Sequence, residues 1–407
     1  MVFTSNAPAG RPSRIATRTL AALLICVFYV CPTPFAPAYR NGVAAAAPAP
    51  ETETFWSVGY WTPWGAPPLP SSRITWKGLT HVVYAWALVR PDGSLDLETQ
   101  RVSREAPALI AGARANNVKA LLGVGQQYWA GQTTSLAEAA GSHRSILVNN
   151  IIDIVNRYGF DGVDLDWEPL DTARDGAILK KLASDLRSRL GGKTLSAAAI
   201  VTDYQFWGTA HAPFDRVSAM TYDLTGVWNP FSWHNAPLYS RSDSFPKSPP
   251  ADATVWSVDL AVERFTRAGV PAARLNVGIP FFGYEWAGGG VTGPNQRWIS
   301  EPRIRQLPYQ SLTGLISPAI DRWDSSARVP YSVITSTRPS EVRFFTYDNE
   351  QSIAEKIRYA QSRRLGGWMI WELSGDYLPG QTPDQPLLNA IANERQTLNS
   401  SGAKAKP

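Results

Sequence analysis

"FDGVDLDWEP", residues 160–169, sets Asp161, Asp164, Asp166 and Glu168 into an otherwise apolar run. Phe160, Val163, Leu165 and Trp167 favour a strand, and a run this apolar is normally buried. Same-face neighbours on a strand lie about 6.6–6.8 Å apart, so Asp164, Asp166 and Glu168 share one face and Val163, Leu165 and Trp167 the other. A solvated acidic edge strand would not alternate with side chains so apolar. A calcium loop starting at Asp164 fails too, because its sixth position is Pro169 where that loop needs glycine. Crowded, buried carboxylates push at least one pKa upward. The result is a carboxyl still protonated near neutral pH, which suits a general acid.

Similar β-rich runs recur along the chain: 56–61, 81–89, 119–125, 160–167, 194–200, 216–223, 274–281 and 366–373. Helical periodicity falls between them. Leu147, Ile151, Ile154, Val155 and Tyr158 share a face ahead of Gly159, a C-cap candidate, and Ile178, Leu182, Leu186 and Leu190 do so ahead of Gly191. Eight strands alternating with helices predict an α/β fold, a (β/α)8 TIM barrel, whose active site forms at the C-terminal ends of the strands. The interval of about 85 residues before the last strand is too long for a bare loop. It holds "VPYSVIT" (329–335) and "VRFFTYD" (342–348), which predict a small α+β insertion at about 284–346, between strands 7 and 8. The polar tail "LNSSGAKAKP" reads as flexible, so the barrel is expected over 51–392 and a flexible tail over 393–407.

The chain has 407 residues and a formal net charge of +5. Residues 1–50 read as a signal peptide with an Ala/Pro-rich leader: Arg11, Arg14 and Arg18 precede "LAALLICVFYV", an apolar stretch far short of the roughly 20 residues that span a bilayer. The mature protein is therefore expected to be secreted, extracellular and free of stable membrane association. Both cysteines, Cys26 and Cys31, fall within the leader. So do four of the 39 basic residues, which leaves 35 against 34 acids and no electrostatic case for nucleic acid. "GGGVTG" (288–293) satisfies a dinucleotide-binding pattern but opens no helix, and no motif calls for a cofactor or metal. A monomer is expected.

The run "DGVDLDWE" resembles the active-site signature of family 18 glycoside hydrolases, the chitinase family, whose acids are spaced D-x-x-D-x-D-x-E. "MTYD" (220–223), "GVWNPFSWHNAPLY" (226–239), "LNVGIPFFGYEW" (275–286) and "GGWMIWELSGD" (366–376) extend the likeness in the family's order. The resemblance implies a cofactor-free hydrolase acting on chitin or another N-acetylglucosamine-containing glycan, by substrate-assisted retaining catalysis. It implies Glu168 as the acid, Asp166 as the group that orients the substrate's 2-acetamido group, and Asp164 as the buried partner of Asp166. Asp161 would be structural, Tyr222 would bond the acetamido carbonyl, Asp223 would contact sugar hydroxyls or the neighbouring carboxylates of the site, and Trp371 would floor the cleft. Tyr60, Trp64, Trp129, Trp228, Trp233 and Trp286 lie at or beyond strand ends and are further candidates for stacking on sugar. Cleavage of N-glycan cores or cell-wall glycan, and binding of chitin without cutting, are the alternatives; the intact Glu168 speaks against the last. Two departures stand out: the family's S-x-G-G reads Gly123-Val124-Gly125-Gln126, and its Tyr-Gly-Arg reads Phe282-Gly283-Tyr284.

Overall fold

The structure, a computed structural model, describes residues 55–404 except 66, 126–134, 169, 171–172, 227–228, 230, 241–253 and 318–319. Trp129, Trp228, Gln126 and the whole leader lie outside the described residues. The strands are β1 (Trp56–Trp61), β2 (His81–Val89), β3 (Leu95–Asp96), β4 (Lys119–Gly125), β5 (Gly162–Asp166), β6 (Thr194–Ile200) and β7 (Arg216–Met220). They continue with β8 (Leu275–Pro280), β9 (Phe282–Ala287), β10 (Arg303–Pro308), β11 (Asp321–Asp324), β12 (Val329–Ile334), β13 (Arg343–Thr346) and β14 (Gly367–Trp371). Helices α1 (Val102–Ala115), α2 (Ser135–Ser142), α3 (Arg144–Tyr158), α4 (Ala173–Leu190) and α5 (Tyr204–Ala210) alternate with the early strands. After them come α6 (Val258–Ala268), α7 (Tyr309–Leu312), α8 (Glu350–Ser362) and α9 (Pro386–Lys404).

Eight parallel strands close on themselves in the order β1-β2-β4-β5-β6-β7-β8-β14, with β14 returning to β1. This is the predicted (β/α)8 barrel, and the eight apolar runs supply its staves. Such runs are apolar on both faces because each stave is buried twice. Val163, Leu165 and Trp167 of the carboxylate run face outward, in one core with Leu147, Ile151 and Val155 of α3 and Leu182 and Leu186 of α4. A smaller cluster, including Val58, Val83, Ala85, Leu121 and Met369, fills the barrel interior. Helix α3 ends where expected: Gly159 takes φ 78°, and its N–H returns to Val155 O at 3.0 Å. The chain then enters β5, pinned by Asp161, whose Oδ2 accepts from the Ala120 N–H of β4 at 2.9 Å.

Between β8 and β14, the chain builds a five-stranded antiparallel sheet in the order β10-β9-β13-β12-β11. It starts at Phe282, two residues earlier than expected, because β9 follows β8 with only Phe281 between them. The lobe has its own core, in which Trp286, Val291, Val333, Val342 and Phe344 are buried. Glu285 is buried beside them and paired with Arg305 and Arg343 on the flanking strands, so its charge is not left alone. Asn235 ties lobe to barrel, its N–H donating to Thr346 Oγ1 at 2.6 Å and its side-chain amide to Phe282 O at 3.3 Å.

The flexible tail expected from residue 393 is corrected: α9 runs through it to Lys404. The carboxylate of Asp376 accepts from the Leu387 and Leu388 N–H groups, satisfying donors that a helix start leaves open. Leu387, Leu388 and Ile391 are fully buried, and Arg395 donates to the carbonyls of Lys77 and Leu79. A polar sequence can continue a helix once an earlier turn is anchored, because propagation costs less than nucleation. Leu388→Ala should therefore lower unfolding stability by about 2–5 kcal/mol in denaturant titrations. A change near zero would mean that α9 does not brace the barrel.

Candidate active site

Strand β5 delivers Asp164 and Asp166 into the barrel, and Glu168 follows two residues later at its C-terminal mouth. Asp164 lies deepest. The Tyr60 hydroxyl from β1 donates to its Oδ1 at 2.5 Å, and the Ser196 hydroxyl from β6 donates to its Oδ2 at 2.5 Å. Burial nevertheless raises its pKa from 3.8 to about 6, against the pull of those two donors. Asp166 is pushed well above the carboxylate range by burial first, then by the charges of Glu168 and Asp164. The Trp86 indole N–H acts in the opposite direction. Glu168 is raised to about 7 by burial, helped by the negative fields of Asp223 and Asp203.

Two side chains beyond the end of β7 face these acids. Tyr222 is buried, with its hydroxyl 3.7 Å from Met369 Sδ. Asp223 takes φ 54°, a left-handed conformation that aspartate tolerates better than most residues. Its N–H is held by Asn235 Oδ1 at 2.8 Å, and its Oδ1 accepts from the Tyr284 hydroxyl at 2.5 Å. Burial raises Asp223, while the Tyr284 hydroxyl opposes the rise.

A cavity of about 510 Å³ opens over this group, lined among others by Asp166, Glu168, Tyr222, Asp223 and Trp371. A second cavity of about 320 Å³ shares Trp371 and Gln306 with it and is lined also by Trp64 and Glu372. The cleft thus continues on both sides of Trp371. Along it runs an aromatic ladder: Trp371 stacks on Trp86 at 5.1 Å, and Trp86 on Trp64 at 5.6 Å. Trp64 is 42% exposed and ends the ladder at solvent.

The residues expected at the site therefore separate. Glu168, Asp166, Tyr222, Asp223, Tyr60 and Trp371 line one cavity, and Asp164 sits beneath it, bonded to Tyr60. Trp286 does not join them. It is fully buried in the core of the inserted lobe, stacked on Trp298 at 5.0 Å, because a small antiparallel sheet needs a large side chain to fill its centre. Trp233 is buried likewise. Sequence reasoning missed Trp86, Ser196, Trp256 and Gln306. Trp86 escaped because the register of β2 against β4 slips between Tyr84 and Ala87, which breaks the alternation that would place residue 86 outside. Tyr284, noted only as a departure from the Tyr-Gly-Arg pattern, meets Asp223 because β9 folds back over the mouth.

A closed parallel barrel with acids converging at its C-terminal mouth is the architecture of a TIM-barrel enzyme. The sequence profile described as "Glycosyl hydrolases family 18" matches residues 57–376, and the chain belongs to that family. It is 32% identical to chitinase A1 of Niallia circulans over 304 residues, 64% of this chain and 41% of that protein. It is 27% identical to endochitinase 1 of Metarhizium robertsii over 405 residues, 87% of this chain and 89% of that one. The chain spans well under half the length of the first of these and most of the second. Among solved structures, the fold matches the Group IV chitinase of Ostrinia furnacalis with TM-score 0.71 and 23% identity, covering 84% of this chain and all of that one.

The raised acids make stability depend on pH. Asp164 and Glu168 move from 3.8 and 4.5 to about 6 and about 7 in the folded protein. Between those limits the folded state binds more protons than the unfolded chain, so their contribution is full below the lower values and fades as pH rises through the upper ones. Melting temperature should fall across that window in the wild type and fall less steeply in Asp164→Asn, which keeps the neutral form at every pH. Parallel curves would show that Asp164 does not take up a proton on folding.

Proposed function

We propose that this chain is a secreted glycosidase that cleaves β-1,4-linked N-acetylglucosamine polymers, most directly chitin, with retention at the anomeric carbon. The observation that carries the reading is the division of labour among three carboxyls: Glu168 and Asp166 face the cavity beside Tyr222, while both oxygens of Asp164 are taken by Tyr60 and Ser196. The family and the chitinases among its relatives support the substrate class.

The chemistry follows from those positions. A sugar stacked on Trp371 presents its glycosidic oxygen to Glu168, whose raised pKa keeps a proton there near neutrality. As the bond from the anomeric carbon to that oxygen breaks, Glu168 gives its proton to the leaving hydroxyl. The oxygen of the substrate's 2-acetamido group bonds to the same carbon, forming an oxazolinium ion. The Tyr222 hydroxyl donates to that oxygen and orients it, and a carboxyl oxygen of Asp166 accepts from the acetamido N–H, where positive charge develops. Water then attacks the anomeric carbon, gives a proton to the Glu168 carboxylate and restores the acetamido group. Two displacements on one carbon leave its configuration unchanged. Trp64, at the exposed end of the stack, offers a flat apolar face to a further sugar of the chain.

Glu168→Gln keeps shape and removes the proton. Turnover of chitin oligomers should drop about 10²–10⁴-fold, with oligomer affinity nearly unchanged by calorimetry. In the wild type, kcat/KM should decline above about pH 7 as Glu168 loses its proton. Turnover of the variant within about twofold of wild type would remove Glu168 from the role of acid.

A further inference from the structure

Trp86 Nε1 and Asp166 Oδ1 are both buried and neither has a partner in full hydrogen-bond geometry among the described residues, yet the indole N–H is near enough to Asp166 to act on its carboxyl as a donor. One is a donor and the other an acceptor, they line the same cavity, and burial without a partner is costly for each. The strand register brings them together. Asp166 pairs with Gly125 across β5 and β4, and a Cβ on Gly125 would stand 3.0 Å from Trp86 Cδ1 and 3.4 Å from its Nε1. The N–H edge of the indole therefore rests on the backbone of the residue beside Asp166. The ring is fixed in that pose, held between Trp371 and Trp64. At Gly123, where the family pattern has serine, a Cβ would meet the Tyr84 carbonyl oxygen at 2.5 Å and Trp86 Cδ1 at 3.0 Å. Two side-chain-free positions on β4 thus accommodate one large indole.

We propose that the indole N–H of Trp86 is a positioning donor for Asp166, closing a hydrogen bond to Oδ1 as the carboxylate turns toward the substrate's acetamido group. The ring is stacked on both sides and shares a cavity with the acceptor, so closing the bond falls to the carboxyl. The bond holds one oxygen at the back of the site and leaves the other facing the substrate. It also opposes the groups that disfavour a charge on Asp166, namely Asp164 and Glu168 on its own run. Tyr60 from β1 and Tyr222 after β7 are the other titratable groups facing it. Trp86 then works through Asp166 rather than on the substrate. The proposal rests on the role given to Asp166 above.

Trp86→Phe keeps a stacking ring and deletes the donor. Turnover of chitin oligomers should fall about tenfold in kcat with KM changed by less than about twofold, and the acidic limb of the kcat/KM profile should move to higher pH. A raised KM with kcat and the acidic limb unmoved would reduce Trp86 to a stacking surface and overturn the proposal. A measurement independent of that variant uses protein labelled with 15N at the indole nitrogens. One indole resonance should titrate with Asp166 in the wild type and stop titrating in Asp166→Asn; no such resonance would also overturn the proposal. Should Asp166→Asn itself turn over substrate like the wild type, the role of Asp166 fails, and the donor proposed for it fails with it.

Discussion

Three carboxyl groups on alternate residues of one strand cannot all be charged inside a barrel, and their neighbours differ accordingly. Asp164 is ringed by donors, Tyr60 from β1 and Ser196 from β6, so its two oxygens are engaged from opposite sides of the barrel. That arrangement exists only because the sheet closes: β1 lies three staves from β5 along one direction. Glu168 rises to the mouth, where burial first, and then Asp223 and Asp203, discourage its ionisation. Asp166 lies between them, disfavoured as a charge by burial first and then by both neighbours. A proton is thus kept available at the place where a leaving group would need it.

Such a site works against the stability of the fold, since each buried carboxyl disfavours the folded state as pH rises. The outer core offsets this cost. Barrel strands and helices share one continuous apolar layer, and α9 adds Leu387, Leu388 and Ile391 to it. The inserted lobe has its own apolar centre and a buried Glu285 neutralised by two arginines, and it adds Leu312 and Phe345 to the barrel core. It also reaches the chemistry. Tyr284 and Gln306, register partners on β9 and β10, come together at the cleft, where Tyr284 holds Asp223 and Gln306 lines both cavities.

The barrel was legible in sequence because parallel staves are short apolar runs with sharp ends. Four of the eight, at 56–61, 81–89, 119–125 and 194–200, have the expected bounds. The acidic face was legible because a period of two admits one assignment of inside and outside once Val163, Leu165 and Trp167 are buried. Trp286 was misplaced since sequence position after a strand resembles a position at the mouth, whereas β9 turns at once into a sheet that needs a core. The α9 helix was hidden by a polar composition, its anchors at Asp376 and Lys77 being distant in sequence. Trp86 was hidden by a register slip, and Ser196 by a contact between neighbouring strands that no local pattern records.

If the substrate's own acetamido group is the nucleophile, its presence must govern both rate and stereochemistry. The most direct measurement follows hydrolysis of fully acetylated and fully deacetylated oligomers side by side by proton NMR, reading the anomeric signal of each newly formed reducing end before mutarotation. The acetylated chain should be cut to give the β-anomer first, and the deacetylated chain should be left nearly intact. Comparable cleavage of both, or an α-anomer appearing first, would contradict acetamido participation and call for a nucleophile or a base supplied by the protein.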